Sequence, residues 1–121
     1  GPPGIGCPVI ASLAGTGFVL IVTEPTLAGE HDLRRLAELL ALFKIPAGLC
    51  INKWDLNPEM TARMEAAGRD LDMHAAGRIR FDLTTVQAQL QGRTVMDYPT
   101  SPAAADIEAL WKNVEQFREN G

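Results

Sequence analysis

The fold is decided by FVLIVTEPTLAGEHDLRRLAELLALFKIPAGLCINKWD, residues 18–55. It opens on a continuous apolar run over 18–22, rich in β-branched residues. Such a run reads as a strand buried on both faces, as in a parallel sheet. Pro25 and Gly29 mark 24–29 as a turn. Over 30–43, Leu33, Leu36, Ala37, Leu40 and Phe43 recur at helical spacing, with Arg34, Arg35 and Glu38 on the opposite side. That is an amphipathic helix, and Pro46 stops it. Residues 47–51 form a second, nearly all-apolar strand, followed by a polar turn over 52–57.

Working outward, Pro58 opens a helix whose inner face is Met60, Met64, Ala67 and Leu71. Residues 75–81 read as a weaker strand, interrupted by Gly77 and two arginines. A helix over 83–90 is closed by Gly92, and 94–98 reads as short and extended. Ser101 caps a last helix, with Pro102 at its first position and a stripe of Ile107, Leu110, Trp111, Val114 and Phe117. Upstream, 1–6 is a Gly/Pro loop, and 7–13 reads as one or two turns of helix. Strands alternating with helices predict an α/β fold with a mostly parallel sheet flanked by helices. Ligands of such sheets sit outside the carboxyl ends of the strands. The loops over 1–6, 23–29, 52–57 and 82–85 would occupy that position.

Composition narrows the function classes. The 121 residues amount to one domain, 46% hydrophobic and 21% charged, which excludes a disordered, coiled-coil or collagen-like chain. A net charge of −4 argues against a nucleic-acid or lipid-headgroup binder, which needs a basic face. Cys7 and Cys50 are too far apart to suggest a zinc site or a disulfide framework. No apolar run reaches the roughly 20 residues of a membrane span, so a reduced, cytoplasmic setting is expected.

Two loops carry recognisable chemistry. Gly1-Pro2-Pro3-Gly4 offers backbone N–H groups that can approach a phosphate closely. Asn52-Lys53-Trp54-Asp55 follows a buried strand. The Asn52 amide presents both a donor and an acceptor to a purine edge. The Lys53 stem can lie along a base, and Asp55 can accept from a guanine amino group. Either loop alone also reads as an ordinary turn, and the Gly/Pro loop by itself reads more readily as one. Trp54 stands between stacking on a purine and covering the sheet. His31, His74, Cys7 and the methionines read as local or core residues.

The stretches GPPGIGCPVIASL, FVLIVTEPTLAGEHDLRRLAEL and IPAGLCINKWDLN, in that order, resemble the MinD/ParA superfamily of P-loop ATPases. More narrowly they are similar to its branch with an inserted ferredoxin domain, grouped under the CobQ/CobB/MinD/ParA nucleotide-binding heading. GRTVMDY over 92–98 and SPAA over 101–104 extend the likeness across the chain. The resemblance implies an incomplete P-loop fold, residues 1–121 being the carboxyl-terminal part of the domain, beginning just after the Walker B aspartate. Gly1, Pro2, Pro3 and Gly4 would be the switch loop that senses the γ-phosphate. Asn52 would read the base, Asp82 would line the base and ribose side, and Glu24-Pro25-Thr26 would shape the pocket. ATP, Mg²⁺ and an iron–sulfur cluster are implied for the parent protein.

Departures qualify that picture. The chain holds no G-x-x-x-x-G-K-[ST] phosphate loop and no four-cysteine cluster. Arg80 stands where the family has proline, within reach of a phosphate or ribose. The chain alone is therefore expected not to hydrolyse ATP. Central strands that the family has and this chain lacks would leave an open apolar sheet edge, so self-association is expected. Three rival readings stand beside the leading one. Asn52-Lys53-x-Asp55 fits a guanine-reading element of a GTPase letter for letter. A cobyrinic acid a,c-diamide synthase-type ligase shares the nucleotide domain. A non-catalytic α/β interaction module suits the acidic composition.

Overall fold

A computed structural model describes residues 9–12 and 17–120. The Gly1 to Gly4 loop and Cys7 lie outside the described residues. The order is β1 (Val9–Ser12), β2 (Val19–Thr23), α1 (Leu27–Leu42), β3 (Ala47–Asn52), α2 (Pro58–Asp70), β4 (His74–Ile79), α3 (Leu83–Leu90) and α4 (Pro102–Asn120). Short 3-10 turns occupy Trp54–Leu56 and Val95–Asp97. The sheet runs β1-β2-β3-β4, with β2, β3 and β4 parallel and β1 antiparallel to β2.

Alternation along the strands sorts the core into two layers, because successive side chains point to opposite faces. Ile21, Ala47, Leu49 and Ile51 pack with Leu33 and Ala37 of α1, Met64 of α2 and Met73. Leu20, Cys50 and Ala76 pack with Phe18 and with Leu110 and Val114 of α4 on the other face. The molecule is thus a helix–sheet–helix sandwich. Gly48 is required on the α4 side: a Cβ there would stand 2.9 Å from the Phe18 ring. The same alternation puts Asn52, two residues beyond Cys50, on the α4 face.

Local corrections have local causes. Residues 9–12 are a strand, not part of a helix. Val9 and Ile10 are β-branched, and the segment pairs along the whole of 19–22. β1 therefore covers one side of β2 and is itself the edge strand of the described sheet. At the other edge, an extra residue between the Ala75 and Gly77 pairings bulges β4. There the Ala76 carbonyl accepts from Asn113 Nδ2 at 2.8 Å, which blunts that edge. α1 starts a turn earlier than expected because the Thr26 hydroxyl accepts the Gly29 N–H at 2.9 Å. Phe43 then falls at the helix end, 65% exposed, and Trp111 is 46% exposed on α4 rather than part of its buried stripe. Residues 95–97 are a 3-10 turn rather than extended, with the Thr94 N–H donating to Asp97 Oδ2 at 3.1 Å.

Three helices end alike. The N–H groups of Ile45, Met73 and Arg93 donate to the carbonyls of Leu40, Gly68 and Ala88 at 2.9, 2.8 and 2.8 Å. These are Schellman closures, which put one residue in the left-handed region. That residue is Gly92 after α3, but Lys44 (φ 55°) after α1 and Asp72 (φ 63°) after α2.

Two predictions follow from this packing. Left-handed backbone costs an L-residue about 1–2 kcal/mol, of which glycine's unfolded-chain freedom returns about 0.4–1 kcal/mol. Lys44→Gly should therefore stabilise the protein by about 0.5 kcal/mol, read as a higher urea midpoint. Burial, with Asp106 and Glu65 nearby, pushes the Cys50 thiol up to about 12. In a Cys7→Ser chain, Cys50 should resist a thiol reagent under native conditions and react once urea unfolds the protein.

Candidate functional site

The carboxyl ends of β3 and β4 open into a cleft of about 290 Å³. It is lined by Asn52 and Lys53 from the end of β3, and by Ile79, Arg80, Phe81 and Asp82 from the end of β4. α3 closes one side with Thr85, Val86 and Gln89, and α4 closes another with Ala103 and Ile107. Asn52, Lys53, Arg80 and Asp82 were all candidates from the sequence, and the fold brings them together. Asp55 stands just outside, bonded to the cleft's rim.

The rim is segment 80–82, and each of its residues is tied to a different carboxylate contact. Arg80 forks onto Asp106 of α4, with Nε to Oδ2 at 2.8 Å, Nη2 to Oδ1 at 2.9 Å, and its backbone N–H to Oδ2 at 3.0 Å. The Phe81 N–H donates to Asp55 Oδ1 at 2.7 Å. Asp82 caps two helices at once: Oδ1 accepts from the Thr84 N–H at 2.9 Å and Oδ2 from the Ala103 N–H at 3.1 Å. Charge-assisted bonds of this kind are the stronger class. They also settle what these groups are available for. The Arg80 guanidinium is turned to Asp106, and both oxygens of Asp82 are engaged by protein N–H groups.

Asn52 differs. It is half-buried on the cleft wall, and no described residue takes its side-chain amide in a hydrogen bond. Lys53 is left-handed at φ 57°, and its Nζ lies 3.2 Å from Glu24 Oε1, joining the loops that follow β3 and β2. Trp54 packs against the α1/α2 core layer, with the Arg78 guanidinium 4.8 Å over its ring. It covers the sheet and is not part of the cleft lining. Thr61, fully buried, donates to the Trp54 carbonyl at 2.9 Å and holds this loop on α2. His74 stacks on Phe117 at 4.3 Å between ring centroids.

Asp106, Val86 and Gln89 are the residues that sequence reading did not single out, and Ile107 reads there only as helix stripe. Nothing in spacing pairs residue 80 with residue 106. The one available signal is an acid in the first turns of the last helix, which helix dipoles favour in any protein.

Hydrogen bonds to Arg80 hold the Asp106 carboxyl below its usual range. The N–H groups of Ala103 and then Thr84 do the same for Asp82. A carboxylate depressed in the folded state contributes fully above its unfolded value, and the contribution is lost as pH falls through the folded value. The urea midpoint should therefore hold level from about pH 7 to about pH 5 and fall below about pH 4. Asp106→Asn should lower the midpoint at neutral pH and flatten the acid fall.

No described helix is long and apolar enough to cross a membrane. No family model matches the chain. It is similar to two uncharacterized proteins of Methanocaldococcus jannaschii. It is 37% identical to MJ0578 over 57 residues, covering 47% of this chain and 21% of that protein. It is 26% identical to MJ0579 over 95 residues, covering 78% of this chain and 31% of that protein. The chain thus spans less than a third of the length of either relative it matches.

Proposed function

We propose that this chain supplies the base-binding side of a nucleotide site in a P-loop ATPase of the MinD/ParA type, one linked to iron–sulfur or redox chemistry. The supporting observation is that Asn52, Lys53, Arg80 and Asp82 line one cleft at the carboxyl ends of parallel strands. An Asn amide that no described residue engages is suited to a purine edge, since it offers a donor beside an acceptor. Val86, Ile79 and Phe81 give the apolar contact a planar base needs.

Size agrees with a half-site. Whole-ligand pockets run about 300–1,000 Å³, and this cleft falls just below that range. It suits a base with part of its ribose, not a triphosphate. The described residues also do not fit Mg²⁺ or phosphates: Arg80 is committed to Asp106, and Lys53 pairs with Glu24. Those groups would be held by residues of the parent protein. The family resemblance assigns the γ-phosphate to Gly1, Pro2, Pro3 and Gly4, which lie outside the described residues.

Phosphoryl transfer depends on positioning and electrostatic stabilisation of the phosphates. The 121-residue chain is accordingly expected to show no ATP hydrolysis. Its affinity for a fluorescent ATP analogue should be far weaker than micromolar. Micromolar binding or measurable turnover by the purified chain would overturn this division of labour. A second copy of the chain remains the proposed protein partner, through the outer edge of β1. A sharp monomer in sedimentation at high concentration would count against it.

A further inference from the structure

The loop Asn52-Lys53-Trp54-Asp55 has the letters of a guanine reader, and its final acid is placed for a different task. A guanine edge presents two adjacent donors, the ring N–H and the amino group, and a carboxylate that reads it must offer both oxygens. Asp55 Oδ1 is instead 2.7 Å from the backbone N–H of Phe81. This bond joins the turn after β3 to the segment after β4, the two chain segments that make the cleft's floor and rim.

We propose that Asp55 is a positioning residue that sets base specificity: by holding Phe81 it shapes the rim to take adenine, and its rim-side oxygen serves that hold and not a guanine edge. The inference rests on the nucleotide reading above. Three features carry it. The Asp55 oxygen turned to the rim already accepts the Phe81 N–H, so a guanine edge would have to share it. Arg80 and Asp82, on either side of Phe81, are anchored to α4 by Asp106 and the Ala103 N–H. Without Asp55, then, Phe81 would be the one residue of the rim not tied by a carboxylate. Third, Asn52 pairs one donor with one acceptor, matching adenine's amino group and ring nitrogen. A guanine in the same place would set its ring N–H and amino group against the single amide acceptor, leaving a donor unpaired, a mismatch that such sites reject.

The test uses the 121-residue chain and follows its amide resonances during titration with adenosine monophosphate and with guanosine monophosphate. Wild type should bind the adenine nucleotide, weakly, and the guanine nucleotide about tenfold more weakly or not at all. Asp55→Ala should lose about tenfold in adenine affinity, as expected for one lost charge-assisted hydrogen bond. It should also speed hydrogen exchange at the Phe81 amide. Asp55→Asn keeps an oxygen that can accept from Phe81, so it should restore both properties and the adenine preference. A guanine reader could not be rescued this way, because asparagine replaces one acceptor with a donor.

If Asp55→Asn fails as Asp55→Ala does, or if Asp55→Ala leaves adenine affinity and Phe81 exchange unchanged, the positioning role is overturned while the nucleotide reading stands. If wild type prefers guanine and Asp55→Asn abolishes it, Asp55 is a reader and the proposal is wrong. If wild type binds neither nucleotide, the nucleotide reading itself falls, and this inference with it.

Discussion

Three consecutive residues, Arg80, Phe81 and Asp82, leave the edge strand with no further sheet to pair with, and carboxylate hydrogen bonds hold them there. Asp106 takes the first, Asp55 the second, and the carboxylate of Asp82 reaches the start of α4 itself. Everything proposed about the cleft depends on this constraint. Without it α3 would be joined to the sheet by an untethered loop, and the wall formed by Thr85, Val86 and Gln89 would have no fixed distance from Asn52. Each tie is charge-assisted, and each links elements far apart in sequence, so the rim is set by tertiary structure and not by local propensity.

The sandwich behind the cleft is conventional in its physics. Alternation along β2 and β3 feeds two separate core layers, α1 and α2 on one face and α4 on the other. That alternation gives Asn52 its direction, since it shares a face with Cys50. Gly48 lets Phe18 cross the sheet closely, and Gly77 lets Leu110 approach β4. The ligand-side loops are then pinned from below. Thr61 holds the Trp54 carbonyl, Arg78 lies over the Trp54 ring, and Glu24 meets Lys53.

Much of this was legible in the residues. The apolar runs at 18–22 and 47–51, the helical stripes and the proline and glycine stops give an α/β sandwich with the right strands parallel. The rule that ligands gather at carboxyl strand ends led to Asn52, Lys53 and Asp82. What could not be read was pairing at a distance. The letters of Asp55 are the same whether it faces a base or the Phe81 N–H, and only the fold distinguishes the two. Arg80 reads as a free cation until Asp106 is placed beside it. Phe43 and Trp111 sit on the correct helical periods but at positions where no layer covers them. Residues 9–12 have β-branched residues at their start and fall inside the 7–13 stretch that reads as one or two turns of helix. The strand form prevails because β2 offers an edge whose backbone groups need partners.

The claim at the centre is that a purine base lies between Asn52 and the α3 wall. Photolabelling with 8-azidoadenosine monophosphate, followed by peptide mapping, tests it most directly. The account predicts label confined to peptides containing 52–54 and 79–89, displaced by excess adenosine monophosphate. Undisplaced label, or label concentrated at the opposite end of the sheet around Lys44 and Asp72, would contradict it.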